Sequence, residues 1–176
     1  MSKDKTNSAI LIVLFAGILW SFGALVVRYI EDARSVPWQY LFFRGLTIFV
    51  LLNLYLLVKE GKSFIENYKK IDLSIVIGGM GFATAFIGFI WSITHTSAAI
   101  TLMMLAAMPF MAAILGYIFL KEKVSLTTLI AIIIAAIGIT FMAFNSSKMG
   151  TLFGLMLGLL SSLDFSIGSV SLRWNK

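Results

Sequence analysis

FSIGSVSLRW, Phe165 to Trp174, lies in register with WSFGALVVRY, Trp20 to Tyr29, at a constant offset of 145 residues. Ser21 meets Ser166, Gly23 meets Gly168 and Arg28 meets Arg173, and an aromatic residue faces an aromatic at both ends. Whether the second copy repeats the first or inverts it depends on what the chain does between them.

The composition is that of a chain built for lipid. Hydrophobic residues make up 60% of it and charged ones 12%, against roughly 45–50% and about 25% in a soluble domain. So few charges cannot cover a water-facing exterior. Cysteine is absent, which removes disulfides, thiolate zinc and thiol nucleophiles together. The single histidine, His95, cannot alone build a haem or multi-histidine metal site, and no cofactor or metal is expected. The net charge of +6 comes from Lys and Arg in short loops between apolar runs. That pattern sets membrane orientation and does not point to nucleic acid.

Six apolar segments reach the roughly 20 residues that a helix needs to cross a hydrocarbon core: Ala9 to Val27, Pro37 to Val58, Leu73 to Ile93, Ala98 to Leu120, Leu126 to Phe144 and Met149 to Leu172. Helix is the expected state, because an unpaired backbone amide is too costly in lipid and the alternation of a membrane barrel is missing. The first segment exceeds a signal-peptide core and lacks a small-x-small cleavage site after it, so it is expected to remain as a span. With the N-terminus inside, ten Lys and Arg (Lys3, Lys5, Lys59, Lys62, Lys69, Lys70, Lys121, Lys123, Arg173, Lys176) face three outside (Arg28, Arg34, Lys148). This asymmetry predicts a multi-pass protein of the cell membrane with a cytoplasmic N-terminus. The only long polar loop, Lys59 to Asp72, reads as an interfacial turn with Phe64, Ile65 and Tyr68 toward the headgroups.

Five spans separate the start of one copy from the start of the next, and five is odd. The second copy therefore enters from the opposite face. The expected fold is all-α, a polytopic membrane helix bundle that forms half of an inverted-repeat transporter. Its two parts are a five-helix repeat, residues 9–144, and the first helix of a second, truncated repeat, residues 149–176.

Several stretches resemble the EamA family of the drug/metabolite transporter superfamily, whose members typically have ten spans in two such repeats. WSFGALVVR, Trp20 to Arg28, is similar to the family's first-span pattern. VPWQYLFFRGL, Val36 to Leu46, resembles its second-span opening through Pro37 and Arg44. THTSAAITLMMLAAMPFMAAILGYIFLKEKVS, Thr94 to Ser125, carries the small-residue turn, a mid-helix Pro109 and the Glu122 that ends the fourth span. The resemblance implies a secondary transporter that exports small metabolites by alternating access. Where the family has a complete second repeat this chain has one span, which implies a partial chain. The resemblance also implies a substrate path along the first, third, fourth and sixth spans, with Trp20, Ser21, Trp91, Ser92 and His95 as wall candidates.

Two charges lie too deep to be span ends. Arg44 stands about seven residues into its span and Asp164 near the middle of the sixth, and an ionisable group at such depth faces a cavity or a partner. Arg44 reads either as a clamp on backbone carbonyls or as a substrate contact. Asp164 reads either as a proton-coupling carboxylate or as the partner of a residue in further spans. From the helical rise the two differ in depth by on the order of 10 Å, which disfavours a direct ion pair. Pro109 withdraws the amide that would bond the Leu105 carbonyl, so a bend is expected there, as packing or as a gate. Trp91 and His95, four apart, share a helix face and also suit an interface anchor.

The tandem GxxxG of GTLFGLMLG, Gly150 to Gly158, and the pair Ala112 and Gly116 allow close helix approach. They offer a homodimer face, but packing within the chain is the favoured use. No GxxxxGK[ST] loop occurs here, so an ion or substrate gradient is the expected energy source. The alternative function is a non-transporting membrane subunit that packs with another membrane protein. An intramembrane enzyme would need paired acids or a Ser and His on facing helices, and the pattern of His95 and Asp164 does not supply them.

Overall fold

The computed structural model describes residues 3–29, 37–61, 63–69, 71–145 and 152–174. They form eight helices: α1 (Lys3–Tyr29), α2 (Pro37–Glu60), α3 (Ser63–Tyr68), α4 (Leu73–His95), α5 (Ala98–Leu105), α6 (Met108–Leu120), α7 (Leu126–Asn145) and α8 (Leu152–Ser171). Four stretches are long and apolar enough to cross a membrane: α2, α4, α5 with α6 taken together, and α8. The apolar runs of the other two long helices are shorter, Ile10–Trp20 in α1 and Leu126–Phe141 in α7. The chain is a multi-pass membrane helix bundle. Its outer faces carry rows of exposed Leu, Ile and Phe, Leu51, Leu54 and Ile134 among them, as lipid requires.

The core is the pair α4 and α8. In lipid no hydrophobic effect drives helices together, so backbones must come close enough for dispersion to hold them. Gly78, Gly81, Ala85, Gly88 and Ser92 are buried along α4, and Gly154, Gly158, Ser161 and Gly168 along α8. The α4 row alternates steps of three and four residues and the α8 row steps by four, three and seven, which keeps one narrow stripe facing the partner. A Cβ at Gly81 would lie 2.8 Å from the Asp164 carbonyl oxygen and 2.8 Å from the Gly168 nitrogen, so only glycine fits. The Ser161 hydroxyl donates to the Ala85 carbonyl at 2.7 Å.

Helix directions follow from which residues meet. Gly78 faces Gly168 while Gly88 faces Leu157, so α4 and α8 are antiparallel. Trp20 stacks near Phe86, and Val27 clusters with Phe89, Ile90 and Ile93, so α1 runs parallel to α4. The two segments that are alike in sequence, in α1 and α8, therefore run in opposite directions. α2 descends against α4, with Trp38 on Trp91 and Arg44 on Phe86. The GxxxG glycines Gly154 and Gly158 are used inside the chain, against Thr96 and Met104.

At the Asp72 end of the bundle, α6 stops on Lys121 in the left-handed conformation (φ 55°), and the Glu122 N–H returns to the Gly116 carbonyl. This turn aims Glu122 at Arg173, whose Nη1 lies 2.9 and 3.0 Å from its two carboxylate oxygens. Both side chains are about two-fifths exposed. Removing either charge, as in Glu122→Gln or Arg173→Gln, is expected to cost less than about 1 kcal/mol. The charge swap Glu122→Arg with Arg173→Glu should recover most of that loss in detergent unfolding curves. In the polar loop, the expected interfacial turn is the short helix α3. Phe64 and Tyr68 are in ring contact there, and the Tyr68 hydroxyl donates to Asn53 of α2. The side chain of Ile65 lies outside the described residues.

Candidate functional site

The fourth span is kinked. α5 ends at Leu105 and α6 begins at Met108, with Ala106 and Ala107 forming a tight turn between them. Pro109 stands in the first turn of α6, where its missing N–H costs nothing. The expected bend is thus a local lapse of the helical ladder just before the proline, with Ala106 and Ala107 still in the right-handed helical region, because the ring would clash with the Leu105 carbonyl of a regular helix. Bonds tighten through the turn: the Ala107 N–H reaches the Met104 carbonyl at 3.1 Å, and the Phe110 N–H reaches the Ala107 carbonyl at 3.1 Å. Two fully buried serines of α8 stand against the backbone on either side of the turn. Ser162 donates to the Met104 carbonyl at 2.7 Å, with the Gly158 carbonyl of its own helix farther off at 3.1 Å, while the Ser166 proton is shared between the Ser162 carbonyl at 2.7 Å and the Met108 carbonyl at 2.9 Å. A kink at membrane depth is tolerated where side chains from a neighbouring helix approach the disturbed carbonyls in this way.

Beside the break lies a cavity of about 520 Å³, lined by Trp20 of α1, Ala106, Pro109 and Ala112 of the fourth span, and Phe165 and Ser169 of α8. Trp20 and Phe165, which are equivalent at the 145-residue offset, meet with ring centroids 5.9 Å apart. Phe82 packs edge-on to Phe165 at 4.9 Å, and Phe86 stacks on Trp20 at 6.4 Å. Phe86 also lines a second cavity, of about 900 Å³, between α2 and α4. Arg44 lines it, half-buried, with its guanidinium carbon 4.2 Å from the Phe86 ring centroid.

The sequence-derived candidates separate into groups. Trp20 and Pro109 reach the first cavity and Arg44 the second. Ser21 lies on α1 with its side chain outside the described residues, as does that of Arg28. Ser92 is fully buried at the junction of α4, α5 and α8; it donates to the Gly154 carbonyl at 2.7 Å, so the Thr101 hydroxyl, 2.9 Å away, donates to it. Its hydrogen-bonding capacity goes into holding three helices. Trp91 and His95 stack at 5.6 Å, their planes nearly parallel, between Trp38 and Phe153. His95 Nδ1 lies 2.8 Å from the Trp91 carbonyl and must carry the proton, since a carbonyl only accepts. Asp164 is half-buried on α8 with its backbone carbonyl against Gly81. Among the described residues, Arg44 and Asp164 form no ion pair with each other or with any other group.

Reading the residues in order missed Phe82, Phe86, Ser162 and Ser166. The serines had a signal: small hydroxyl residues four apart on an apolar helix are spaced to serve one neighbour. The phenylalanines had none, since 15 are present in the chain and any of them suits lipid.

A family model described as the EamA-like transporter family matches residues 7–144. Two curated relatives, both named "Uncharacterized transporter", come from Helicobacter pylori strains J99 / ATCC 700824 and ATCC 700392 / 26695. Each is 26% identical over 164 residues, which cover 92% of this chain and 53% of the relative. The chain thus spans about half the length of the curated relatives it matches. No solved structure matches it.

Proposed function

Because the chain belongs to the EamA-like transporter family, we propose that it forms the first repeat, residues 9–144, and the opening helix of the second, residues 149–176, of a secondary carrier for small metabolites. The carrier works by alternating access, exports its substrate, and sits in the cell membrane with its N-terminus in the cytoplasm. One observation carries this reading. Trp20 and Phe165, equivalent in sequence, touch across helices that run in opposite directions, beside a cavity walled by a kinked span. A residue can touch its own equivalent only near an axis relating the two copies, and inverted-repeat carriers bind substrate around such an axis, at discontinuous helices. The ten-to-three distribution of Lys and Arg supports the orientation.

The chain has no cysteine, so single-cysteine variants report without background. Ser169→Cys, in the cavity, is expected to react with a membrane-impermeant thiol reagent from either side of the membrane, while Lys123→Cys reacts from the cytoplasmic side alone. Ser169→Cys labelled from one side only would sink alternating access, and Lys123→Cys labelled from outside would reverse the orientation.

A further inference from the structure

Arg44 is a cation at membrane depth whose recorded company is one aromatic face. Its guanidinium lies over Phe86, and among the described residues no carboxylate or carbonyl meets it. The ring quadrupole offsets part of the cost of holding a charge there, but leaves the five N–H donors of the planar fork without acceptors. The surroundings are otherwise apolar: Trp38, Leu41, Phe42, Ile48 and Ile87 wall the same cavity. A second unsatisfied donor stands beyond the cavity on the same face of α4. Trp91 lies one turn beyond Ile87 and in ring contact with Trp38, and its Nε1–H is buried with no partner among the described residues. An unneutralised, half-buried guanidinium in an otherwise apolar cavity describes the complement of an oxyanion carried on an apolar body.

We propose that the cavity between α2 and α4 binds an amphipathic organic anion, its carboxylate or phosphate on the Arg44 guanidinium and its apolar part along Trp38, Phe42 and Phe86. The inference rests on the carrier reading and names the substrate class for it. Phe86 is the partition: Arg44 lies over its ring, and the ring also stacks on Trp20 of the neighbouring cavity. An anion that draws Arg44 off the ring frees Phe86 to move against Trp20, which joins the two cavities. An anionic lipid headgroup has the same oxyanion chemistry, and the test separates it from a soluble ligand.

The probes are naphthoate and its neutral counterpart naphthalenemethanol, titrated calorimetrically into the purified chain in nanodiscs of phosphatidylcholine. Naphthoate is expected to bind more tightly than the alcohol. Arg44→Gln should weaken naphthoate by about tenfold or more while leaving the alcohol unchanged, and Arg44→Lys should give an intermediate loss. The comparison of the two probes on the unmodified chain needs no variant to fold: equal affinities overturn the proposal, as does indifference of naphthoate to Arg44→Gln. Adding phosphatidylglycerol should leave naphthoate binding intact, and its displacement would make the occupant a lipid and overturn the substrate assignment. If Ser169→Cys is labelled from both sides but naphthoate is not preferred, the anion assignment fails alone. If naphthoate binds through Arg44 but Ser169→Cys is reached from one side only, the carrier reading fails and the binding site remains.

Discussion

Gly81→Leu is expected to abolish the packed bundle, and Gly81→Ala to destabilise it by about 1–3 kcal/mol, the usual cost of forcing a methyl into a filled site. The reason is the rigidity of the obstacle. A Cβ at Gly81 would lie 2.8 Å from two backbone atoms of α8, the Asp164 oxygen and the Gly168 nitrogen, and neither can rotate away. The helices would have to separate along the whole stripe from Gly78 to Ser92, and with it would go the dispersion contacts that replace the hydrophobic effect in lipid. Gly79→Ala is the control. It sits two residues away on α4 with nothing within 4 Å of the new Cβ, and should leave stability unchanged. SDS-titrated unfolding followed by circular dichroism distinguishes the two; equal midpoints for Gly81→Ala and Gly79→Ala would refute the α4 and α8 packing.

The double substitution Ser162→Ala with Ser166→Ala is expected to cost about 2–3 kcal/mol together. Interhelical hydrogen bonds in membranes average only about 0.6 kcal/mol, because a carbonyl in an intact helix keeps its own amide partner. Ser161→Ala, whose hydroxyl serves the Ala85 carbonyl within the unbroken α4, should fall near that average. Ser162 differs because the Met104 carbonyl stands at the break, where its backbone bond is the short three-residue return from Ala107. Without the serines, the turn between α5 and α6 should exchange its amide hydrogens faster, and this local readout separates loss of the break's support from a general loss of stability. If the double variant unfolds at the same midpoint as Ser161→Ala, the serines do not hold the break.

Much of the fold is legible in the residues because lipid allows so few solutions. A run of about 20 apolar residues must be a helix, and the expected boundaries at Pro37, Leu73, Ala98, Leu120 and Leu126 coincide with helix ends. The bend near Pro109 was legible for the same reason, since a missing amide has a fixed consequence. The candidate site was legible only in part. Arg44 stood out because a charge at depth is rare, and Trp20 because it recurs as an aromatic at Phe165. Ser92 looked like a cavity residue, yet is consumed by Gly154 and Thr101, for spacing along one helix does not reveal which neighbour a face will meet.

The order of residues alone determined that this chain lies in a membrane, how many apolar runs it has and where they start, and that its last run is similar to its first. Those properties depend on hydropathy, proline chemistry and repetition, all of which are local. Only tertiary structure decided that α4 and α8 form the core, that the alike segments oppose each other at Trp20 and Phe165, and that Arg44 rests on Phe86 apart from Asp164. Helix association in lipid depends on ångström-scale fit between small residues far apart in the chain, and one-dimensional periodicity does not encode which stripe will find which partner.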